Sequence, residues 1–264
     1  MSETSPLLVS IEHGIATLTM NQPHKLNALS AEMSSLGKQY LSDFVTNPDV
    51  RVVILTGVGR AFCAGGDVGN MAANKAPKTF EEKLDGLRGA QEFAWQLHSL
   101  PMPTIAAVNG FAVGAGLGIA LSCDIRIASD KAKFGTAYAR VGLGGDFGTT
   151  WQLTQLVGPA KAKEMFFLAD NVDSDEAHRL GLANLVVEHD QLMDSALEMA
   201  ARIAAGAGVS FRYMKENVNL AVHSDFRTIL EREALTHMRC SQTDDHREGA
   251  QAFVEKRKPI FQGR

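Results

Sequence analysis

Two glycine-rich loops and one aspartate carry the residue types and spacing in this chain that suit chemistry. The first loop, Phe62-Cys63-Ala64-Gly65-Gly66-Asp67, follows an apolar run at 51–56, and the second, Gly110-Phe111-Ala112-Val113-Gly114-Ala115-Gly116-Leu117-Gly118, follows one at 104–108. A tight glycine turn after a buried strand aims unpaired backbone N–H groups into a pocket. If the two strands are neighbours in a parallel sheet, both loops open at one edge and an N–H from each converges on a single oxygen. That is the geometry of an oxyanion hole, which binds a developing enolate or tetrahedral oxygen. Spacing alone also fits two ordinary tight turns. The aspartate is Asp146, in Gly142-Leu143-Gly144-Gly145-Asp146-Phe147-Gly148. Its flanking glycines let the backbone bring the carboxylate close to a ligand, and apolar surroundings would raise its pKa toward that of a base. The other reading of Asp146 is as the N-cap of a helix over 147–157.

Periodicity shows the elements that must position these groups. Residues 7–11 and 15–20 alternate around His13-Gly14 and predict a hairpin. Ser30 predicts the cap of a helix carrying Met33, Leu36, Tyr40, Leu41 and Phe44, stopped at Asn47-Pro48. Beyond it the pattern predicts a strand at 51–56, a loop at 57–69, a helix at 80–100 and a strand at 104–108. A buried helix from about Ala115 to just before Asp124, and a strand at 125–129, follow. Strand and helix alternate with roughly 50-residue spacing, which predicts crossovers in a mostly parallel, layered sheet. After Gly148 helical periodicity takes over: Ser174 caps 175–180, Gly181 ends that helix, and further helices cover 191–205, 210–223 and 226–241. The C-terminal third therefore reads as all-helical.

Composition removes several classes of function. The chain has 264 residues, 45% hydrophobic and 21% charged, which is ordinary for a globular protein with a sizeable core. A net charge of -4 gives no electrostatic reason to bind nucleic acid or anionic lipid. The uncharged run 99–123 has the length of a membrane span, but Pro101, Pro103, Asn109 and the glycines at 110, 114, 116 and 118 argue for strand, turn and buried helix. Cys63, Cys123 and Cys240 form no CxxC pair and no basic, apolar leader opens the chain, so a reducing, cytoplasmic location is expected. The eight histidines show no metal-ligand spacing, and no metal site is expected. The glycines at 114, 116 and 118 fall short of the dinucleotide fingerprint, and no phosphate loop occurs.

Several separated segments together resemble the crotonase (enoyl-CoA hydratase/isomerase) superfamily. They are Pro23-His24-Lys25-Leu26-Asn27-Ala28-Leu29, Phe62 to Asp67, Ala106 to Gly116, Cys123-Asp124, and Ala252 to Lys258, in the right order and over nearly the whole chain. The resemblance implies an α/β fold, a spiral of ββα units with a C-terminal helical trimerisation region. Residues 1–200 would be the core with an acyl-CoA site and 201–264 the helical region. It implies an acyl-CoA thioester as substrate, with coenzyme A as part of that substrate and no separate cofactor. The assembly would be a homotrimer or a dimer of trimers, with neither nucleic acid nor membrane as partner. The backbone N–H groups of Gly66 and Ala115 would hold the thioester oxygen, and the dipole of the helix that Ala115 begins would assist. Lys25, Ala28, Ala64, Asp67 and Leu117 would wrap coenzyme A, with Lys25 as a point charge for phosphate. Lys25 reads equally well as a solvated surface lysine.

Hydratases of the superfamily carry two glutamates at positions that read Gly118 and Tyr138 here. Two acids suit water addition, because one activates the water while the other manages the proton at the α-carbon. Asp146 instead resembles the single acid/base of isomerase-type members, and one carboxylate suffices for a 1,3-proton shift. The leading expectation is an enoyl-CoA isomerase with Asp146, Gly66 and Ala115 as its catalytic groups. Beside it stand a hydratase using Asp146 with water, a dehalogenase-like acyl-CoA hydrolase whose activating histidine is replaced by Gln91, and a thioester-binding protein that has lost catalysis. Tyr138, Gln91, Phe147, Gly118 and Met71 are expected to shape the acyl pocket, Tyr138 also fitting an aromatic core position. Cys63 has no histidine placed by sequence to activate it and is expected to be a buried small residue.

Overall fold

The computed structural model describes residues 5–67 and 78–263. Its strands are β1 (Leu7–Glu12), β2 (Ile15–Met20), β3 (Val52–Gly57), β4 (Ala61–Cys63), β5 (Thr104–Val108), β6 (Phe111–Val113), β7 (Ile125–Ser129), β8 (Lys133–Gly135), β9 (Val172–Asp173) and β10 (Leu185–Val187). Its helices are α1 (Ala31–Thr46), α2 (Phe80–Ser99), α3 (Ala115–Ser122), α4 (Thr149–Leu168), α5 (Ser174–Arg179), α6 (Leu192–Ala204), α7 (Gly208–Ala221), α8 (Phe226–Cys240) and α9 (Asp244–Glu255).

The strands divide between two sheets. One has the order β1-β2-β3-β5-β7-β10, parallel except for the β1–β2 hairpin. The other has the order β4-β6-β8-β9, with β4, β6 and β8 parallel. Each successive pair, β3 and β4, β5 and β6, β7 and β8, thus puts one strand in each sheet before the chain enters a helix. The chain is a spiral of ββα turns.

The central strands β3 and β5 of the large sheet are buried on both faces, which is why they read as continuous apolar runs rather than as alternation. Ile54, Ile105, Ala107 and Ile127 meet Leu192, Ala196, Ala200 and Ala204 of α6 on one face. Leu55, Ala106, Val108 and Ala128 meet the main core, with Leu117 and Ile119 of α3, on the other. The charge-free stretch 99–123 is consumed by β5, β6 and α3, and no helix among the described residues is long and apolar enough to cross a membrane.

Caps explain most helix starts. Ser30 Oγ accepts from Met33 N at 3.1 Å, and Thr79 and Glu82 cap α2 reciprocally. At α5 the cap is Asp173 rather than Ser174: the Asp173 carboxylate accepts from Glu176 N at 3.0 Å, while Ser174 donates to the Asp130 carbonyl. The C-terminal third is not wholly helical, since β9 pairs with β8 and β10 with β7. These strands are too short for alternation to show. The helix expected over 147–157 forms, but it begins two residues later, at Thr149, breaks at Gly158 before continuing, and is not capped by the Asp146 side chain. The backbone is left-handed at Phe147 and Gly148, Gly148 takes the N-cap position with no side chain capping, and α4 begins at Thr149.

Candidate active site

The site forms where the three parallel strands of the small sheet end. β4 runs into Ala64-Gly65-Gly66, β6 into Gly114-Ala115, and β8 into Thr136-Ala137-Tyr138. Because β4 pairs with β6 and β6 with β8, these exits are side by side. Gly65, with φ +93, lets the first loop press against the second: a β-carbon there would lie 2.9 Å from Val113 O and 3.5 Å from Ala115 N. Gly116 is packed still more tightly, and a β-carbon on it would collide with the Cys63 carbonyl. Ala115 opens α3, so its N–H has no intrahelical acceptor. Among the described residues, neither its N–H nor that of Gly66 donates to a turn or loop carbonyl.

Behind the loops, Tyr138 Oη donates to Asp146 Oδ1 at 2.7 Å and lies 3.0 Å from Thr149 Oγ1. An ionised carboxylate only accepts and a phenol has one proton, so Thr149 donates to Tyr138 while Tyr138 donates to Asp146. Among the described residues Asp146 Oδ2 has no hydrogen-bond partner. Burial raises the Asp146 carboxyl above its ordinary pKa, and the Tyr138 hydrogen bond opposes that rise. Burial, with the Asp146 charge added, drives the Tyr138 phenol upward, so it stays protonated. Its ring stacks on Phe166 at 5.9 Å. Burial pushes the Cys63 thiol up to about 12, with Asp146 adding a smaller upward push, which leaves it no nucleophile at neutral pH.

Gly118 is buried in α3, and a β-carbon on it would lie 2.6 Å from Thr149 Oγ1 and 2.8 Å from Phe147 Cβ. Phe147 takes the space that a longer side chain there would need. Its φ of 49 is a left-handed conformation, costing on the order of 1 to 3 kcal/mol for a residue with a side chain. Phe147 and Gln91 line a cleft of about 780 Å³ between α2, the start of α4 and α7, together with Trp95 and Trp151. The walls of that cleft do not include Asp146, Gly66 or Ala115. Met71 lies outside the described residues.

Four of the residues expected around coenzyme A are brought together. Ala64 N donates to Leu26 O at 3.0 Å and Leu29 N to Gly65 O at 2.7 Å, so the segment from Lys25 to Ala28 runs beside the first loop. Lys25 Nζ reaches Asp67 Oδ2 at 3.1 Å from a half-exposed position. Leu117 stands apart, fully buried in the core. No cluster of His, Cys, Asp and Glu among the described residues is arranged to hold a metal ion. Thr149 is the site residue that sequence reasoning missed. Its spacing of eleven positions from Tyr138 acquires meaning only once the left-handed turn between them is known.

Residues 10–264 match the enoyl-CoA hydratase/isomerase family. A short-chain-enoyl-CoA hydratase of Clostridium acetobutylicum is 39% identical over 257 residues, 97% of each chain. A 1,2-epoxyphenylacetyl-CoA isomerase of Escherichia coli is 33% identical over 258 residues, 98% of each chain. The crystal structure of an enoyl-CoA hydratase from Bacillus anthracis superposes with a TM-score of 0.93 at 31% identity, over 98% of this chain and 100% of that one.

Proposed function

Because this chain belongs to the enoyl-CoA hydratase/isomerase family and shares the crotonase fold, we propose that it catalyses a 1,3-proton shift in an enoyl-CoA thioester with Asp146 as its single acid/base. The thioester oxygen sits between the N–H groups of Gly66 and Ala115. Asp146 Oδ2 takes a proton from the α-carbon of a 3-enoyl group, and the C–H electron pair enters a dienolate whose oxygen carries the negative charge. The two N–H groups and the α3 dipole stabilise that oxygen. The proton on Oδ2 then returns to the γ-carbon, and the double bond has moved into conjugation with the carbonyl. No atom is gained or lost.

The observation that carries this reading is the pairing of one half-held carboxylate with a filled second position. Tyr138 occupies one oxygen of Asp146 at 2.7 Å, and Phe147 and Thr149 occupy the space beside Gly118. Incubation with a 3-enoyl-CoA tests it: a 2-enoyl-CoA of unchanged mass supports the shift, and a product that has gained water sinks it. A hydratase using Asp146 with water is the second reading, favoured by the name of the Clostridium acetobutylicum relative. It requires 3-hydroxyacyl-CoA as the product from a 2-enoyl-CoA.

Lys25, Ala28, Ala64 and Asp67 are read as the clasp for coenzyme A, which enters as part of the substrate. Exposed Met214, Val218, Phe226, Met238 and Phe253 on the last helices support assembly of this chain as a homotrimer or dimer of trimers. A cytoplasmic setting suits its three free thiols.

A further inference from the structure

We propose that Thr149 is a positioning residue of this site: by donating its hydroxyl proton to Tyr138 Oη, it directs the Tyr138 proton onto Asp146 Oδ1 and keeps Oδ2 turned to the substrate. The proposal rests on the acid/base role of Asp146 given above. Tyr138 Oη has three oxygens within reach: Asp146 Oδ1 at 2.7 Å, Thr149 Oγ1 at 3.0 Å and the Asp146 carbonyl at 3.3 Å. The phenol can give its proton to one of them only. Were Thr149 the acceptor, Asp146 Oδ1 would face a lone pair and the carboxylate would swing away. With Thr149 as donor, the chain runs in one direction and the carboxylate is pinned through a single oxygen.

Thr149 is well placed for this. It is fully buried, and its own N–H donates to the Asp146 carbonyl at 3.0 Å, so its hydroxyl belongs to the turn that carries the carboxylate. Gly118 makes the placement possible, since a β-carbon there would lie 2.6 Å from Thr149 Oγ1. The glycine that stands where hydratases carry an acid therefore admits the hydroxyl that orients the remaining one. Among the described residues, the titratable groups facing Asp146 are Tyr138 on one side and the inert Cys63 thiol on another. When a proton arrives on Oδ2 and departs again, the bond at Oδ1 persists and the carboxyl does not rotate.

The test compares Thr149→Val, Thr149→Ala and Thr149→Ser, each alone and in a Tyr138→Phe background. It measures kcat and KM against pH and, in the resting protein, the Asp146 carboxyl titration by carbon NMR. Loss of the Thr149 donor should lower kcat about three- to tenfold at unchanged KM. It should also move both the acidic limb of kcat and the NMR titration upward by about half a pH unit, because the bond favouring the carboxylate is weakened. Thr149→Ser should restore both, and in the Tyr138→Phe background removal of Thr149 should add nothing. An unmoved Asp146 titration, or an equal shift without Tyr138, overturns the proposal. The titration needs no turnover, so it judges Thr149 even if the wild-type protein shifts no proton and the isomerase reading falls.

Discussion

Gly118 and Phe147 compete for one space: a β-carbon at Gly118 would come within 2.8 Å of the Phe147 β-carbon. Installing the missing acid by Gly118→Glu should therefore not create a hydratase. It should displace Phe147, cost about 1 to 3 kcal/mol of stability through overpacking, and disturb Asp146 next door. Thermal unfolding and product analysis check this. A stable variant that adds water faster than wild type would refute the packing argument.

Asp146→Asn should lower kcat by about 10² to 10⁴ while leaving the affinity for an unreactive thioester analogue within about threefold. Stopped turnover with intact binding, measured by calorimetry, separates a base from a structural group. Near-normal turnover would remove Asp146 from the chemistry.

The raised Asp146 pKa also predicts how stability depends on pH. The folded state binds this proton more tightly than the unfolded chain does, so the contribution is full below the ordinary value of 3.8 and is lost as pH rises through the folded pKa. The side-chain amide of the Asp146→Asn variant stays neutral throughout. The Tm advantage of that variant over wild type should accordingly be larger at pH 7 than at pH 4, and a difference independent of pH would contradict a burial-raised carboxyl.

Lys25→Ala should raise KM for coenzyme A thioesters several-fold with little change in kcat, while Tm hardly moves. The Lys25–Asp67 pair is partly exposed, and such pairs contribute about 0 to 1 kcal/mol. If a thioester lacking the nucleotide half of coenzyme A shows the same KM increase, Lys25 does not meet that half.

Cys63 and Cys123 are buried and their thiols are pushed up to about 12, whereas Cys240 is partly accessible. A neutral thiol reagent should modify one cysteine in the folded protein and all three after denaturation. Peptide mapping should locate the first at Cys240, and rapid labelling of Cys63 would show that the small-sheet loops open far more than their packing allows.

The large sheet is legible in the sequence because its central strands are apolar runs of five or six residues with turns at either end. Strand β5 and the start of α3 at Ala115 fall where periodicity puts them. The small sheet is not legible. Strands such as Ala61–Cys63 and Phe111–Val113 are too short for any period, and they lie inside stretches that read as loop and turn. Convergence of the glycine loops follows from neighbouring parallel strands, and β4 and β6 are the neighbours that deliver it most directly. Asp146 admits two readings because a left-handed phenylalanine leaves no sequence signal. Thr149 stays invisible for the same reason. The last helix, α9, also goes unread, although its start carries an ordinary cap signal: Thr243 accepts from the His246 N–H.

Each turn of the spiral gives one strand to the six-stranded sheet and one to a sheet whose strands are only two or three residues long. The consequence is a separation between chassis and reagent. The proposed oxyanion donors and acid/base follow the short strands β4, β6 and β8, so exchanging an acid, moving it to another turn or losing it altogether leaves the ladders of the six-stranded sheet untouched. A lineage built this way can change its reaction by a few substitutions without renegotiating its folding, and relatives of similar sequence named for adding water and for isomerising are what such a division would leave behind.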